Sequence, residues 1–369
     1  MNAYRLEGGY VYENSKFERK DLHFIPPEYN GHTITLQCDD HYILPGMIDI
    51  HTHGCANVDF NHISEDGLNR VNEFFLTQGV TSWLASIVTD DPEQMLKSAK
   101  LISTYSKTDT NGCLGVHLEG PFLSKQYRGS MPEEYLQNFD YCFLKEMQQQ
   151  CDGGIKYITL APEVEGALAG IKLLRELNMI VSIGHSDATY EQAMQAIENG
   201  ASVSTHTLNA MRLMHQHEPA IAGAVLASDI YCEVICDGLH LHPSTVDMLM
   251  KIKGAGKLIA ITDSIQAAGL ADGEYVLGAQ EIIVVNGDAK LKHENVRAGS
   301  TLTMINALKN TMKFTNKPLE EVLPFFIDNP ADLFEPSLKS FTTQSQLNAV
   351  VLNQEHELVH IIQNGKYIF

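Results

Sequence analysis

The chain has 369 residues, 44% of them hydrophobic, with 46 acidic against 26 basic side chains and a formal net charge of −20. That length supports a large core and about two to three domains, and the charge argues against a general nucleic-acid binder, which needs a basic footprint. No apolar run approaches the ~20 residues of a membrane span, and Met1-Asn2-Ala3-Tyr4-Arg5 lacks the charged-then-apolar pattern of a secretory signal.

A cytoplasmic protein with neither a membrane nor a nucleic-acid partner is therefore expected. An anionic substrate would need cationic or backbone donors placed locally. The seven cysteines at 38, 55, 113, 142, 151, 232 and 236 form no Cys-x-x-Cys. Reduced thiols are expected, with Cys113, Cys232 and Cys236 buried in strand-like runs and Cys55 not a metal ligand, since histidines and carboxylates already fill the site.

Residues 1–44 read as short β segments, with Tyr10-Val11-Tyr12, Thr33-Ile34-Thr35-Leu36 and Tyr42-Ile43-Leu44 between Pro and Asn-Gly turns. From 45 to 337 the pattern alternates strand and helix, with strand runs near 47–51, 80–88, 113–119, 155–160, 180–185, 202–206, 231–236 and 257–263. Eight such runs is the number of a (β/α)8 barrel, which uses roughly 250 residues. Ser64 reads as an N-cap whose helix Gly79 closes as the C′ residue, and Asp91-Pro92 opens the next helix with proline at its first position. Residues 265–296 break the alternation as a β excursion. Residues 338–369 are β-rich again, so a small β-sandwich built from both termini is expected beside the barrel.

Five of the strand runs end in residues that hold metals or move protons. His51 and His53 follow Met47-Ile48-Asp49-Ile50, and in a regular strand residues i and i+2 share a face. Glu119 closes His117-Leu118-Glu119 before Gly120-Pro121, and His185 and His206 end two further runs. His117 shares the parity of Glu119 and is expected to support the ligands rather than bind. Imidazoles and carboxylates at the C-terminal ends of barrel strands suit a catalytic divalent metal, with three protein ligands and an open position. Asp263 ends the eighth run, where one carboxylate can take a proton from water and return it to a leaving nitrogen. His240, beyond the seventh run, can hold the substrate or polarise its carbonyl.

In order along the chain, Leu44–Gly54, His117–Phe122, Thr159–Glu163, Gly184–Thr189, Thr205–Met211, Glu218-Pro219, Asp237–His240, Thr262–Ser264 and Ala298–Met304 resemble the N-acetylglucosamine-6-phosphate deacetylases of the amidohydrolase superfamily. The resemblance implies a distorted (β/α)8 barrel that hydrolyses the acetamide of an amino-sugar phosphate, as a homodimer. Glu119, His185 and His206 would hold the principal ion and His51 and His53 a second. Zinc is the first expectation, with iron, manganese and cobalt behind it.

Asp263 would be the acid/base. Ser130, Asn209, Ala210, His217, His240, Leu302, Thr303 and Met304 would contact the sugar phosphate. N-acetylgalactosamine-6-phosphate, an unphosphorylated acetamido sugar, or a non-catalytic metal-binding barrel are the alternatives. The chain departs from the family pattern where an arginine before Glu-Pro is replaced by His217, where Met131 replaces a histidine, and from Glu335 to Leu347, which lacks the usual glycine- and lysine-rich stretch. Arg212 and Arg128 are the expected compensating cations for the phosphate.

Overall fold

The computed structural model describes residues 1–341 and 345–369. Residues 342–344, inside the Glu335–Leu347 stretch, lie outside the described residues. Eight parallel strands form one sheet whose spatial order follows the chain. They are Met47–Thr52, Val80–Val88, Cys113–Glu119, Ile155–Leu160, Ile180–Ile183, Val203–Ser204, Tyr231–Ile235 and Leu258–Ile261. A helix follows each, from Glu65–Leu76 after the first to Met304–Thr315 after the eighth. This is the expected (β/α)8 barrel.

The first and eighth strands meet without a regular ladder, which is the distortion of the barrel. Their outer ends are joined by the Asp263 amide donating to His51 O at 2.9 Å and the His53 amide donating to Ser264 O at 2.7 Å. Deeper in, the Asp49 carboxylate accepts the Thr262 hydroxyl at 2.6 Å. The seam thus sets His51, His53 and Asp263 side by side.

The helix signals act much as their chemistry requires. The Ser64 side chain accepts from the Gly67 amide, and Asp91 caps the helix that begins with Pro92. Gly79 has φ +72° but stands two residues past the cap Thr77, one beyond the expected C′ position.

Three strands are shorter than their apolar runs predict. The fifth, sixth and eighth stop before His185, His206 and Asp263, which have φ of 47°, 24° and 49°. A left-handed residue cannot continue a ladder, so the ladder ends where the functional side chain begins. Such conformations cost roughly 1–3 kcal/mol each at non-glycine residues and concentrate at functional sites.

The termini build two sheets. Tyr10–Glu13, Lys16–Arg19 and Tyr42–Pro45 join Ala349–Leu352, Leu358–Gln363 and Lys366–Tyr367 in a six-stranded sheet, and Ala3–Glu7, Leu22–Phe24 and Thr33–Gln37 form a three-stranded one. Ala349 and Val351 pack with Tyr4, Leu6, Val11 and Ile43 between these sheets, while Val350 and Leu352 join the barrel core. Side chains alternate across a strand, so burial of all four residues follows from a partner on each face. The excursion forms the antiparallel strands Gly273–Leu277, Gln280–Val285 and Asp288–Leu291, packed through Ile282, Val284 and Leu277 onto Val88, Leu123, Met131 and Ile265. It therefore roofs the C-terminal mouth of the barrel.

Candidate metal centre and active site

Two groups of buried donors face each other at that mouth, among the described residues: Glu119 with His185 and His206, and Asp263 with His51 and His53. Glu119 Oε1 lies 3.0 Å from Nε2 of both His185 and His206, and its Oε2 lies 3.3 Å from His53 Nε2. Asp263 Oδ1 is 3.1 Å from His53 Nε2 and 3.6 Å from His51 Nε2. Glu119 thus touches both groups. The expected acid/base, Asp263, joins the group that holds His51 and His53.

The donor set fits cations. The Nδ1 atoms of His51, His53 and His185 donate to Glu233 Oε2 at 3.0 Å, Ser86 O at 3.1 Å and Tyr127 O at 2.9 Å. Those acceptors place the ring proton on Nδ1 and turn the Nε2 lone pairs inward. The Nε2 atoms of His51 and His53 are 3.2 Å apart, and those of His185 and His206 are 3.1 Å apart. Lone pairs so crowded beside two carboxylates call for positive charge between them. Burial by itself would push His51 and His53 down, but Glu233, Glu119 and Asp263 outweigh it and lift them to about 9 and about 10.

A divalent ion would displace those protons. Metal loading near pH 7 is therefore expected to release protons and to tighten as the pH rises. Calorimetric titration in two buffers of different ionisation enthalpy measures this, and a buffer-independent heat would contradict it.

Glu233 was not singled out in the sequence. It lies in the seventh strand, fully buried, and accepts His51 Nδ1, the Tyr157 hydroxyl at 2.7 Å and the His206 amide at 3.0 Å. A charged residue inside Tyr231-Cys232-Glu233-Val234-Ile235 was the available signal. Its carboxylate orients one donor residue from each group. Glu233→Gln would turn a carboxamide toward a ring that already donates. An outer partner of this kind typically contributes 10–100-fold to metal affinity, so a loss of about that size is expected by chelator competition, with the thermal transition retained.

His117 supports the site without joining either donor group. It lies between Ser86 Oγ at 2.8 Å and Thr159 Oγ1 at 2.9 Å, and its ring centroid is 4.5 Å from that of His51. Burial holds it well below the ordinary histidine range and so neutral. Cys55 is buried and belongs to neither donor group, and all seven cysteines are free thiols.

His53, Glu119, His185, His206 and Asp263 open into a cavity of ≈ 420 Å³ that Ser130, Met131, Asn209, Ala210 and His240 also line. Asp237 Oδ2 takes His240 Nδ1 at 2.7 Å, leaving the other ring nitrogen for a ligand. Gly129, at φ +58°, lies against the His185 ring, where a Cβ would stand 3.2 Å from Cε1.

Leu302 and Met304 are buried in the barrel core, and the described residues lining the cavity include none of Leu302, Thr303 and Met304. Their segment acts on Asp263 through the backbone: the Ser300 amide donates to Asp263 O at 2.7 Å. His217 and Arg212 line a separate pocket of ≈ 200 Å³, and Arg212 is engaged by Glu218 and Asp187. Arg128 donates to Met131 O at 2.6 Å.

Residues 42–337 match the amidohydrolase family. The chain belongs to that family. An N-acetylglucosamine-6-phosphate deacetylase from Lysinibacillus sphaericus is 38% identical to this amidohydrolase over 322 residues, 86% of this chain and 83% of its own. An N-acetylgalactosamine-6-phosphate deacetylase from Escherichia coli O157:H7 is 32% identical over 296 residues, 79% and 78% of the two chains. The crystal structure of N-acetylglucosamine-6-phosphate deacetylase from Pasteurella multocida superimposes with a TM-score of 0.92 at 30% identity, covering 99% of both chains. The amidohydrolase fold is thus matched from end to end, including the terminal sheets.

Proposed function

We propose that the chain is a metal-dependent deacetylase that converts N-acetylglucosamine-6-phosphate and water to glucosamine-6-phosphate and acetate. The observation that carries the reading is the pair of donor groups joined by Glu119 at the floor of one cavity. Glu119, His185 and His206 would hold one ion, and His51 and His53 a second, with Asp263 beside them. Zinc suits imidazole and carboxylate donors best, and iron, manganese and cobalt share that preference in part. When bound, a divalent ion there supplies a Lewis acid that polarises the acetamide carbonyl and lowers the pKa of water.

The chain's own residues supply the proton traffic. Asp263 accepts a proton as the oxygen of water bonds to the acetamide carbon. It returns that proton to the sugar nitrogen as the carbon–nitrogen bond breaks. Asn209, Ala210, Ser130 and His240 line the space where the sugar would lie. A cavity of ≈ 420 Å³ is in the range of small-molecule sites.

The family resemblance supports a reading as a homodimer that works in the cytoplasm. Among the described residues no helix is long and apolar enough to cross a membrane. The Escherichia coli relative keeps the galactosamine epimer as a second substrate reading.

Acetate release from the two epimeric 6-phosphates and from unphosphorylated N-acetylglucosamine, with and without a chelator, tests the proposal. The glucosamine 6-phosphate is expected to have the highest kcat/KM, lost on chelation and restored by metal. No acetate from any acetamide would leave a non-catalytic metal-binding barrel.

A further inference from the structure

Two permanent cations line the cavity and have no part in the roles above. Lys290 and Arg297 are the lysine and the arginine among the described residues that line it. Lys290 belongs to the excursion and Arg297 directly follows it. Lys290 lies in the strand Asp288–Leu291, and Arg297 stands opposite it in an isolated antiparallel bridge. Directly opposed residues project from one face of a hairpin, where like charges repel.

Asp288, two residues before Lys290, shares that face and offsets part of the repulsion. Its carboxylate accepts Arg297 Nε at 2.7 Å and Nη2 at 3.2 Å, and lies 3.2 Å from Lys290 Nζ. A guanidinium has five N–H donors and an ammonium three, so both cations keep donors for another anion. Asp288 neutralises one of the two cationic charges, in a chain whose net charge is −20.

The element is well held. Leu277, Ile282 and Val284 anchor it in the core over the barrel mouth, and the Gly278 amide donates to Asp59 Oδ2 at 2.9 Å. Arg297 also feels the field of Asp237, the carboxylate that takes His240. His240 and Arg297 line the same cavity. The compensating cations expected from the sequence are not among the described residues that line this cavity. Arg212 is ion-paired in the other pocket beside His217, and Arg128 donates to the loop backbone.

We infer that Lys290 and Arg297, held by Asp288, form the phosphate subsite of this chain and take the 6-phosphate of the sugar within the same subunit. Arginine matches a phosphate with paired donors, and lysine adds a point charge. The inference rests on the deacetylase reading and gives it a residue-level account of phosphate recognition.

The test compares kcat/KM for N-acetylglucosamine-6-phosphate and N-acetylglucosamine in the metal-loaded full chain and in Arg297→Gln, Lys290→Gln and Lys290→Arg. Charge-assisted hydrogen bonds predict that each Gln variant lowers the preference for the phosphorylated sugar roughly 10–100-fold, mostly through KM. Lys290→Arg is expected to keep most of it. Inorganic phosphate, as a competitive inhibitor, should weaken in parallel. Both side chains are about one-third exposed, 33% and 38%, and thermal melts check that the variants fold.

If the wild type prefers the phosphorylated sugar and both Gln variants keep that preference, the inference fails and the deacetylase reading stands. Loss of the preference in His217→Ala, with the Gln variants unaffected, would equally overturn it. If no acetamide is turned over, the deacetylase reading fails instead. Calorimetric binding of inorganic phosphate then decides the subsite: binding lost in the Gln variants supports it, and binding retained refutes it.

Discussion

Asp263→Asn is expected to lower turnover by about 10²–10⁴-fold, the usual contribution of a general acid/base. The substitution keeps the shape of a residue that is 6% exposed and stands at φ 49°, but the carboxamide cannot accept a proton from water. Burial by itself would raise the Asp263 carboxyl. The hydrogen bond from His53 and the nearby charges of His51, His53 and His206 more than offset this and hold it below the ordinary range, so it is ionised and ready to accept.

The geometry adds a second effect. Asp263 Oδ1 lies 3.1 Å from His53 Nε2, so the variant is also expected to lose affinity at the His51–His53 position. Turnover must therefore be measured at saturating metal, with content determined on the same sample. Near-normal turnover in a fully loaded Asn variant would move the proton transfer to another group, His240 first.

The second large effect is on metal content. Glu119 contacts Nε2 of His185 and His206 through Oε1 and of His53 through Oε2. Surrounding imidazoles hold this buried carboxyl well below its ordinary range against the opposing effect of burial. Removing one partner from a buried charge pair costs about 3–5 kcal/mol, which corresponds to roughly 10²–10⁴-fold in affinity. Glu119→Gln is therefore expected to weaken both metal positions and to abolish most turnover.

Replacing His51 and His53 together by asparagine should act differently. It removes two imidazoles from one position and leaves Glu119, His185 and His206 in place. Elemental analysis should show more than one equivalent in the wild type supplied with metal, about one in the double variant, and well below one in Glu119→Gln. A wild-type content that stays at one in excess zinc, manganese and iron would remove the two-ion reading. A double variant that loses all metal would mean that the two positions are one.

The barrel was legible because its strands are buried on both sides and read as apolar runs. The candidate ligands were legible because each interrupts such a run at its C-terminal end. The run lengths misled by two residues at His185, His206 and Asp263. Apolar composition reports burial, whereas the ladder stops two residues before the residue with positive φ. The implied contacts of Leu302, Thr303 and Met304 illustrate a different limit. Their motif lies next to the site in sequence, but Leu302 and Met304 are core residues, and the segment acts through the Ser300 amide on the Asp263 carbonyl.

By itself the sequence determined the fold class, the chemical nature of the donors and the order in which strands deliver them, because these depend on local pattern and on one residue at each strand end. Only the tertiary structure decided which donors stand together. Closure of the barrel brings the eighth strand to the first, so Asp263 joins His51 and His53 across more than two hundred residues of chain. The same closure turns Glu233 of the seventh strand onto His51. It was also the packing of the excursion over the mouth that put Lys290 and Arg297 into the cavity. Sequence spacing carries no information about such contacts, because they form between elements whose approach is set by burial of the shared core.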